Sequence, residues 1–279
     1  MTKNRDEILS KTLTTGGSGV VASYVHFGTK ANRADFDITD LSQVMNFVKK
    51  HKPQVILHLA AETDLAKCQT DPSQAYLVNA VGTYNLAMTA KMVGAKMVYV
   101  STDAVFPSSA KSHAVGEEGR PESIYGHSKY LGELAVKGVL SDFIIARTSW
   151  VFGGGPQKDK KFVGNFIGQL HKTEVKAVND QFNSPTFAGD LVETLKNLIT
   201  EKRIGTFHIV NQGLACRYDM ALVIAETLQK KPKILSVNAA TFGLSPYQQS
   251  SGGLVGNLEL RPWQFALTDY VQSEWVGKI

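Results

Sequence analysis

Lys96–Ser101 (KMVYVS) is a short, mostly apolar run that ends in a hydroxyl side chain. Two further runs of this kind are Val55–Ala61 (VILHLAA) and Phe143–Thr148 (FIIART). Strands of a parallel sheet that is covered on both faces are continuously apolar, whereas half-exposed strands alternate between apolar and polar residues. The three runs therefore predict strands of a buried parallel sheet.

Helical patterns separate these strands, at Leu41–Lys50, Gln74–Val93 and Ile124–Val139. Asp40 is a suitable N-cap for the first helix, and Gly94 is a suitable end for the second. Apolar strands that alternate with amphipathic helices are typical of α/β domains with helices on both faces of the sheet. We therefore predict a doubly wound parallel sheet.

The alternation becomes irregular after Trp150. Gly153–Pro156 is predicted to be a loop, and the Ser-, Gly- and Gln-rich segment Ala239–Asn257 is predicted to be a loop over a cleft. A later helix and strand, at about residues 187–211, are expected to return to the first domain. The predicted domains are a nucleotide-binding domain of residues 1–150 plus about 187–211, and a smaller domain of residues 151–186 and 212–279.

The composition is that of an ordinary globular protein: 279 residues, 43% hydrophobic and 20% charged. No apolar run reaches the roughly 18 residues that a membrane span needs. The charged N-terminus lacks the apolar stretch of a signal peptide. Cys68 and Cys216 have no metal-type spacing and are typical of buried thiols in a reducing compartment. We expect a cytoplasmic protein with no metal site and no membrane contact.

The net charge of +5 and the pI of about 9.0 favour an anionic ligand, either a nucleotide or nucleic acid. The basic clusters Lys49–Lys50, Lys158–Lys161 and Lys230–Lys233 are short and contain no interleaved aromatic residues. We interpret them as solvated surface and expect no nucleic-acid partner.

A glycine-rich turn, Thr15–Ala22 (TGGSGVVA), fits the pattern G-x-x-G-x-x-[GA]. Its glycines allow a tight turn and let backbone N–H groups approach a pyrophosphate, and a following helix would add its dipole. The segment before it, Lys11–Thr15, is poorly apolar for a buried strand. The turn alone leaves a dinucleotide site and an ordinary glycine turn equally open.

The segment after this turn bears on the choice of cofactor, and it leaves little room for a full second strand. Asp35 or Asp37 lies near the offset of about 20 residues at which a carboxylate binds the ribose of NAD. Lys30 and Arg33 can instead bind the 2′-phosphate of NADP. We favour NADP(H) and leave NAD(H) open; the alternative for all four residues is that they are surface charges.

Tyr125 and Lys129 (YGHSK) lie four residues apart, which places them on one face of a predicted helix. An ammonium beside a phenol lowers the phenol pKa from about 10, so that the tyrosine can act as a general acid toward a carbonyl oxygen. Thr102 ends a predicted strand and can donate a hydrogen bond to the same oxygen. Asn79 can support a water-mediated proton path to Lys129, or it can be a core amide. The alternatives are that Tyr125 and Lys129 form a purely structural pair and that Thr102 simply ends a strand.

Several longer segments make the chain similar to a known family. They are Leu57–Thr63 (LHLAAET), Tyr76–Asn85 (YLVNAVGTYN), Val100–Phe106 (VSTDAVF), Ile124–Glu133 (IYGHSKYLGE), Arg147–Gly153 (RTSWVFG), Val178–Thr186 (VNDQFNSPT) and Leu260–Trp263 (LRPW). Together they resemble the extended short-chain dehydrogenase/reductase family, and within it the dTDP-4-dehydrorhamnose reductases. The resemblance runs from about Thr15 to Trp275. It implies a Rossmann-type sheet with a smaller C-terminal substrate-binding domain.

The resemblance also implies the activity: NAD(P)H-dependent reduction of the 4-keto group of a nucleotide-activated 6-deoxyhexose, here dTDP-4-dehydro-L-rhamnose to dTDP-L-rhamnose. Tyr125 would be the acid, Lys129 its tuner and ribose clamp, and Thr102 the donor to the carbonyl. The implied cofactor-binding residues are Gly16, Ser18, Gly19, Val20, Asp37, Ile38, Ala60, Ala61, Thr63, Asn79, Tyr125 and Lys129. The implied substrate-binding residues are Thr102, Asp103, Trp150, Asn183 and Thr186. A homodimer is left open.

The chain also departs from the family pattern. Ala104 stands where a tyrosine is usual, Ala22 replaces the third glycine, and Ala66 and Gln69 replace acidic residues. These changes leave the sugar specificity open. Two other functions are a non-catalytic, cofactor-binding regulatory subunit of the same fold and a nucleotide-sugar epimerase. A dehydratase is disfavoured because Asp103 is not followed by a second acid.

Overall fold

The computed structural model describes residues 2–108, 112–243 and 252–278. By compactness the chain divides into two units. The first comprises Met1–Pro107, Glu118–Arg147 and Glu193–Phe207, and the second Ser108–Glu117, Thr148–Val192 and His208–Ile279. This division assigns residues 108–117 to the second unit, whereas the sequence analysis assigned them to the nucleotide-binding domain.

Strands and helices alternate along the first half of the described chain. The strands are β1 (Thr12–Thr15), β2 (Thr29–Ala31), β3 (Val55–His58), β4 (Lys96–Thr102), β5 (Phe143–Thr148), β6 (Val151–Phe152), β7 (Glu174–Val178), β8 (Thr186–Phe187), β9 (Gly205–His208) and β10 (Lys233–Val237). The helices are α1 (Thr2–Ser10), α2 (Leu41–His51), α3 (Leu65–Thr70), α4 (Pro72–Tyr76), α5 (Thr83–Val93), α6 (Ile124–Val139), α7 (Gly155–Lys158), α8 (Phe162–Ile167), α9 (Ala188–Thr200), α10 (Arg217–Thr227) and α11 (Trp263–Glu274).

A six-stranded sheet forms in the described part of the chain, in the order β2-β1-β3-β4-β5-β9. The pairs β1–β2, β1–β3 and β3–β4 are parallel. The predicted Rossmann-type, doubly wound fold is confirmed. Because the chain leaves β1 toward β2 on one side and later continues from β3 on the other, the strand order reverses at β1 and β3. Ligands of doubly wound sheets bind beyond the carboxyl ends of the strands at such a reversal.

β1 is buried along its whole length although three of its four residues are threonines. Threonine is β-branched, which suits a strand, and two of the hydroxyls have partners. Thr12 Oγ1 donates to the carbonyl of Ile8 in α1, and Thr15 Oγ1 lies 2.7 Å from His58 Nδ1. A strand that reads as poorly apolar is therefore buried because its polar atoms are mostly satisfied.

The helix expected after the glycine turn is absent from the described residues, and that expectation was wrong. A single 3₁₀ turn, Val21–Tyr24, stands in its place, and β2 is only three residues long. The chain must complete the glycine turn and return alongside β1 by Thr29, which leaves no length for a helix. Gly28, at φ +65°, makes this return possible, because a Cβ there would lie 2.1 Å from the carbonyl oxygen of Thr12.

The helix predicted over Gln74–Val93 is interrupted by a π-helical segment, Leu77–Gly82, between α4 and α5. The predicted ends are confirmed elsewhere. The Asp40 carboxylate accepts hydrogen bonds from the backbone N–H groups of Ser42 and Gln43, and Gly94 ends α5 at φ +70°. A π-helical turn of this kind often marks a functional position.

The second unit has its own core, formed mainly by α8, α10 and α11. Phe166, Ile224, Leu267 and Tyr270 are buried in it. Two small sheets, β7–β10 and β6–β8, complete the unit. The predicted loop Ala239–Asn257 begins with a 3₁₀ turn, Ala239–Phe242, and its residues 244–251 lie outside the described residues.

No helix in the described ranges is both long and apolar enough to cross a membrane.

Candidate active site

A cavity of about 320 Å³ lies in the first unit, at the carboxyl ends of β1 and β3. The glycine turn, the segment after β2 and the segment after β3 provide its walls. The predicted cofactor residues among its lining are Gly16, Ser18, Gly19, Asp37, Ile38, Ala60 and Ala61. Of the lining residues, those that the sequence analysis did not name as a site include Phe36, Glu62, Lys67, Gln74 and Val78. The cavity thus coincides with the reversal of strand order.

Two glycines of the turn leave no room for a side chain. Gly16 has φ +68°, and a Cβ there would lie 2.7 Å from the backbone nitrogen of Ala60. A Cβ on Gly17 would lie 2.8 Å from the Cβ of Lys30. The turn is closed by a hydrogen bond from Gly19 N–H to the Gly16 carbonyl. The close approach of two backbones at this point makes the turn a suitable cradle for a pyrophosphate.

Arg33 and Asp37 lie together on the side of the cavity that follows β2. Arg33 Nη2 is 3.3 Å from Asp37 Oδ2, and the arginine side chain is 79% exposed. Hydrogen bonds from Thr39, backbone first and then hydroxyl, hold the pKa of Asp37 below its usual value, and Arg33 adds to this. Asp35 instead accepts from the backbone of Asn32. Of the two carboxylates predicted for the ribose, Asp37 lines the cavity and Asp35 does not; of the two cations predicted for the 2′-phosphate, Arg33 lines it and Lys30 does not.

Glu62 and Lys67 form a further ion pair in the cavity wall, with Lys67 Nζ 2.5 Å from Glu62 Oε2. Glu62 was not predicted as a site residue. It directly follows Ala60 and Ala61, and a charged residue at the carboxyl end of a predicted strand could have indicated it. Thr63, predicted to bind the cofactor, is exposed outside the cavity lining. Val20 is half-buried and is not in that lining either.

Glycines allow α6 to approach β4 and the turn that follows it. Ser123 caps the helix by accepting a hydrogen bond from Gly126 N–H. A Cβ on Gly126 would lie 2.1 Å from the carbonyl oxygen of Ala104, and one on Gly132 would lie 2.4 Å from the hydroxyl of Tyr99. This close packing brings the start of α6 to the carboxyl end of β4.

Thr102, the last residue of β4, and Tyr125, in the first turn of α6, meet at that position, where Thr102 acts on the pKa of the Tyr125 phenol. Thr102 Oγ1 also donates to the Asp103 carboxylate at 2.9 Å and accepts from Ala104 N–H. Burial raises the pKa of Tyr125, and the hydrogen bond with Thr102 opposes that rise. The sequence analysis predicted a lowered pKa for this phenol, and the direction was wrong because burial outweighs the stabilisation of the phenolate.

Lys129 is only 3% exposed and lies deep against β4. Its Nζ donates to the Val100 carbonyl at 2.8 Å and lies 4.1 Å from the centre of the Tyr99 ring. Burial lowers the pKa of Lys129 to about 7, and the nearby Glu133 carboxylate opposes that shift. Glu133 is itself fully buried and paired with Arg147 through two hydrogen bonds. The buried lysine therefore loses its charge at a lower pH than an exposed lysine does.

Asn79 lies in the π-helical segment and is buried. Its Oδ1 accepts from Glu62 N–H, and its Nδ2 donates to the Glu62 carbonyl and to Ser128 Oγ, all within 3.0 Å. Ser128 Oγ in turn donates to the Tyr125 carbonyl at 2.8 Å. The sequence left two interpretations of Asn79 open, a support for a proton path to Lys129 and an amide buried in the core. These contacts are those of a buried core amide. It joins the cavity wall to the Tyr–Lys helix.

The predicted substrate residues of the second unit differ in their surroundings. Trp150 has φ +38°, and the Arg217 guanidinium lies 3.5 Å from the centre of its ring. Asn183 Oδ1 accepts from the Ser149 hydroxyl and from Ser184 N–H. Thr186 is fully buried in β8. Their predicted contacts with a substrate stay a prediction.

A doubly wound sheet with a glycine turn at its switch point, together with a Tyr-x-x-x-Lys pair on the helix that follows β4, defines an oxidoreductase of the extended short-chain dehydrogenase/reductase class. Comparison with known proteins narrows the class. The chain belongs to the RmlD substrate binding domain family, which it matches over residues 10–273.

Individual relatives match over most of their length. The chain is 31% identical over 245 residues to the spore coat polysaccharide biosynthesis protein SpsK of Bacillus subtilis, with 85% of each chain covered. It is 30% identical over 295 residues to the dTDP-4-dehydrorhamnose reductase of Mycolicibacterium smegmatis, covering 96% of this chain and 87% of that protein. The solved dTDP-4-dehydrorhamnose reductase of Bacillus anthracis, in complex with NADP, superposes with a TM-score of 0.87 at 29% identity and covers 94% of this chain and 99% of that one.

Proposed function

We propose that the protein is an NADP(H)-dependent reductase of the 4-keto group of a nucleotide-activated 6-deoxyhexose, acting on dTDP-4-dehydro-L-rhamnose to give dTDP-L-rhamnose. The observation that carries the proposal is the pairing of Thr102 with Tyr125, one helical turn from a buried lysine, Lys129, in a unit that also contains a cavity at the switch point. The named activity of the relatives that match nearly the whole chain supports it.

The residues of the cavity fit a dinucleotide. The backbone of Gly16, Ser18 and Gly19 would hold the pyrophosphate, in a turn where a Cβ on Gly16 would collide with the backbone of Ala60. Arg33 would hold the 2′-phosphate, and Ala60 and Ala61, which also line the cavity, would lie along the nicotinamide half. The bound cofactor supplies the hydride to the keto carbon of the sugar.

The protein supplies the proton. Because burial raises the pKa of Tyr125, the phenol keeps its proton at neutral pH and can donate it to the sugar oxygen. Thr102 would turn its hydroxyl from the Asp103 carboxylate to the same sugar oxygen and stabilise the charge that develops there. Lys129 would hold the ribose of the bound cofactor and would provide a positive charge when protonated. In the second unit, Trp150, Asn183 and Thr186 are the proposed substrate contacts, and Asp103 is the proposed contact in the first.

The decisive experiment follows oxidation of NADPH and NADH in parallel with dTDP-4-keto-6-deoxy sugars. We expect turnover with dTDP-4-dehydro-L-rhamnose and preference for NADPH. Protein that binds NADPH but oxidises none with any such sugar is a regulatory subunit, and the proposal is then wrong. Cofactor that copurifies and is not consumed indicates an epimerase instead.

The cofactor preference is tested separately through Arg33. A guanidinium–phosphate contact is charge-assisted and contributes about 1.5–3 kcal/mol, so Arg33→Ala should weaken NADPH binding at least tenfold and leave NADH binding unchanged. The matched control is Lys30→Ala, on the neighbouring strand but outside the cavity lining. Titration of the cofactor's fluorescence measures both constants. Equal losses for NADPH and NADH would contradict the assignment of Arg33 to the 2′-phosphate.

The cellular setting completes the proposal. Both cysteines, Cys68 and Cys216, are free and buried, which supports a reducing cytoplasm. The proposed partners are the nucleotide sugar and a second copy of the chain in a homodimer, which sedimentation of the purified protein can test.

A further inference from the structure

A buried chain of hydrogen bonds runs through the first unit from the glycine turn to the Tyr–Lys helix. It begins at Thr15, the last residue of β1, whose Oγ1 accepts from Ala60 N–H at 3.3 Å and lies 2.7 Å from His58 Nδ1. On its other side, His58 Nε2 lies 3.1 Å from Thr83 Oγ1, and Thr83 Oγ1 donates to the Asn79 carbonyl at 2.6 Å. His58 is fully buried in the middle of this chain.

The protons of this chain can be placed in one way. A separation of 2.6 Å between Thr83 Oγ1 and the Asn79 carbonyl requires the threonine proton, because a carbonyl only accepts. Thr83 must then accept from His58 Nε2–H. His58 Nδ1 carries no proton, and it accepts from the Thr15 hydroxyl. His58 is therefore the neutral Nε2–H tautomer, and every hydrogen bond in the chain points from Ala60 toward Asn79.

Two further observations agree with a fixed, neutral ring. Burial, together with the positive charge of Lys129, lowers the pKa of His58 to about 3. The ring is also stacked on Tyr99, with 5.5 Å between centroids, and Tyr99 donates from its hydroxyl to the Lys129 carbonyl. His58 thus contacts the surroundings of Lys129 through the face of its ring and Tyr99, and it does not itself line the cavity.

We propose that His58 is a positioning residue for the reductase reaction. Its Nδ1 side fixes the end of β1 and the start of the segment after β3, which together form the cofactor cradle. Its Nε2 side fixes Asn79 through Thr83, and Asn79 holds Ser128 beside Tyr125. The two nitrogens therefore serve two separable purposes, cofactor affinity on one side and catalytic geometry on the other. This inference rests on the proposed function.

Asparagine and glutamine variants separate the two sides. An asparagine amide reaches the position of Nδ1 and can accept from Thr15, whereas a glutamine amide reaches that of Nε2 and can donate to Thr83. We expect His58→Gln to keep kcat within threefold and to weaken NADPH binding at least fivefold. His58→Asn should keep NADPH binding within threefold and lower kcat at least tenfold, since a displacement of about 1 Å in an active site can cost about 100-fold.

The aromatic variant His58→Phe keeps the stacking on Tyr99 and loses both hydrogen bonds. We therefore expect it to lower kcat and to weaken NADPH binding. A purely structural histidine would change all three variants in the same way, and equal effects of the Asn and Gln variants would overturn the proposal. Unchanged constants in His58→Phe would do the same. Circular dichroism identifies any variant that fails to fold. If His58→Phe does not fold, the comparison of His58→Asn with His58→Gln still tests the proposal.

Nitrogen-15 NMR of the wild-type protein provides a readout that needs no turnover. The long-range imidazole spectrum should show His58 as the Nε2–H tautomer, unchanged between about pH 6 and 9. The opposite tautomer, or a titration in that range, would overturn the inference. If the wild-type protein has no reductase activity, the proposed function fails, but the tautomer and the NADPH affinity of His58→Gln still test the placement of His58.

Discussion

At the scale of single residues, burial acts on Tyr125 and Lys129 in opposite directions. It disfavours whichever form of a group is charged, so it raises the pKa of the phenol and lowers that of the ammonium. Tyr125 is therefore a protonated donor at neutral pH, and only the charge of Lys129 varies there. Glu133 keeps that charge accessible, because its carboxylate raises the lysine pKa against the effect of burial.

The role of Tyr125 is tested by Tyr125→Phe, which keeps the ring and removes the proton. General acid catalysis typically contributes about 100- to 10,000-fold, so kcat should fall by this factor while NADPH affinity stays within about threefold. Tyr84→Phe, at a tyrosine that is 46% exposed, is the matched control and should leave kcat unchanged. Turnover of Tyr125→Phe within threefold of the wild type would exclude Tyr125 as the acid.

The charge of Lys129 predicts a pH dependence. Its pKa is lowered from 10.5 to about 7, so the lysine is cationic below that pH and neutral above it. Since the proposed role needs the cation, kcat/KM measured at low NADPH should decrease as the pH rises through about 7. Lys129→Arg stays charged throughout and should lose this limb of the profile. A wild-type profile that is flat from about pH 6 to 9 would contradict the assignment.

At the scale of elements, the position of Tyr125 depends on how closely α6 packs. The helix meets the turn after β4 at Gly126 and meets β4 itself at Gly132, and neither contact has room for a methyl group. The buried pair Glu133–Arg147 joins the same helix to β5. The Tyr–Lys spacing sets which residues share a face, but these contacts set where that face lies.

Gly126→Ala and Gly138→Ala test this packing on one helix. A Cβ at Gly126 would lie 2.1 Å from a backbone oxygen, whereas one at Gly138 meets nothing within 4 Å. Gly126→Ala should lower the free energy of unfolding by about 1–3 kcal/mol and reduce kcat. Gly138→Ala should raise it by about 0.5–1 kcal/mol, because alanine is the better helix former. Urea denaturation measures both; equal effects of the two variants would mean that close packing at Gly126 does not matter.

At the scale of the whole molecule, the sequence predicts best those elements whose signal is local. β5 was predicted to the residue and β4 to within one residue, because a strand covered on both faces is a continuous apolar run. β3 begins where predicted but ends at His58, three residues before the predicted end. The 3₁₀ turn Val21–Tyr24 and the π-helical segment Leu77–Gly82 were not predicted. The first follows from the short path back to β2. The second accompanies hydrogen bonds of Asn79 to Glu62 and Ser128, which are distant in sequence.

The candidate site likewise has features that local sequence predicts and features that depend on contacts between distant segments. Residue types and spacing identified Thr102, Tyr125 and Lys129, and the structure brings them to one edge of the sheet. They did not give the direction of the Tyr125 pKa shift, because burial depends on how α6 packs and not on the four-residue spacing. The buried chain of hydrogen bonds centred on His58 was not predicted either, since Thr15, His58 and Thr83 come from β1, β3 and α5 and each is an ordinary core residue when taken alone.

Cofactor binding should stabilise the first unit as a whole, because the cavity joins segments after β1, β2 and β3. A ligand present at 100 times its dissociation constant adds about 2.7 kcal/mol to the stability of the state that binds it. For a chain of this size each kcal/mol raises Tm by about 2–4 °C, so NADPH should raise Tm by roughly 5–10 °C. Scanning calorimetry measures this difference for the wild type and for Gly16→Ala, whose Cβ would collide with the Ala60 backbone and distort the glycine turn. A Tm that NADPH leaves unchanged in the wild type, or raises equally in Gly16→Ala, would show that the cofactor does not bind at the glycine turn.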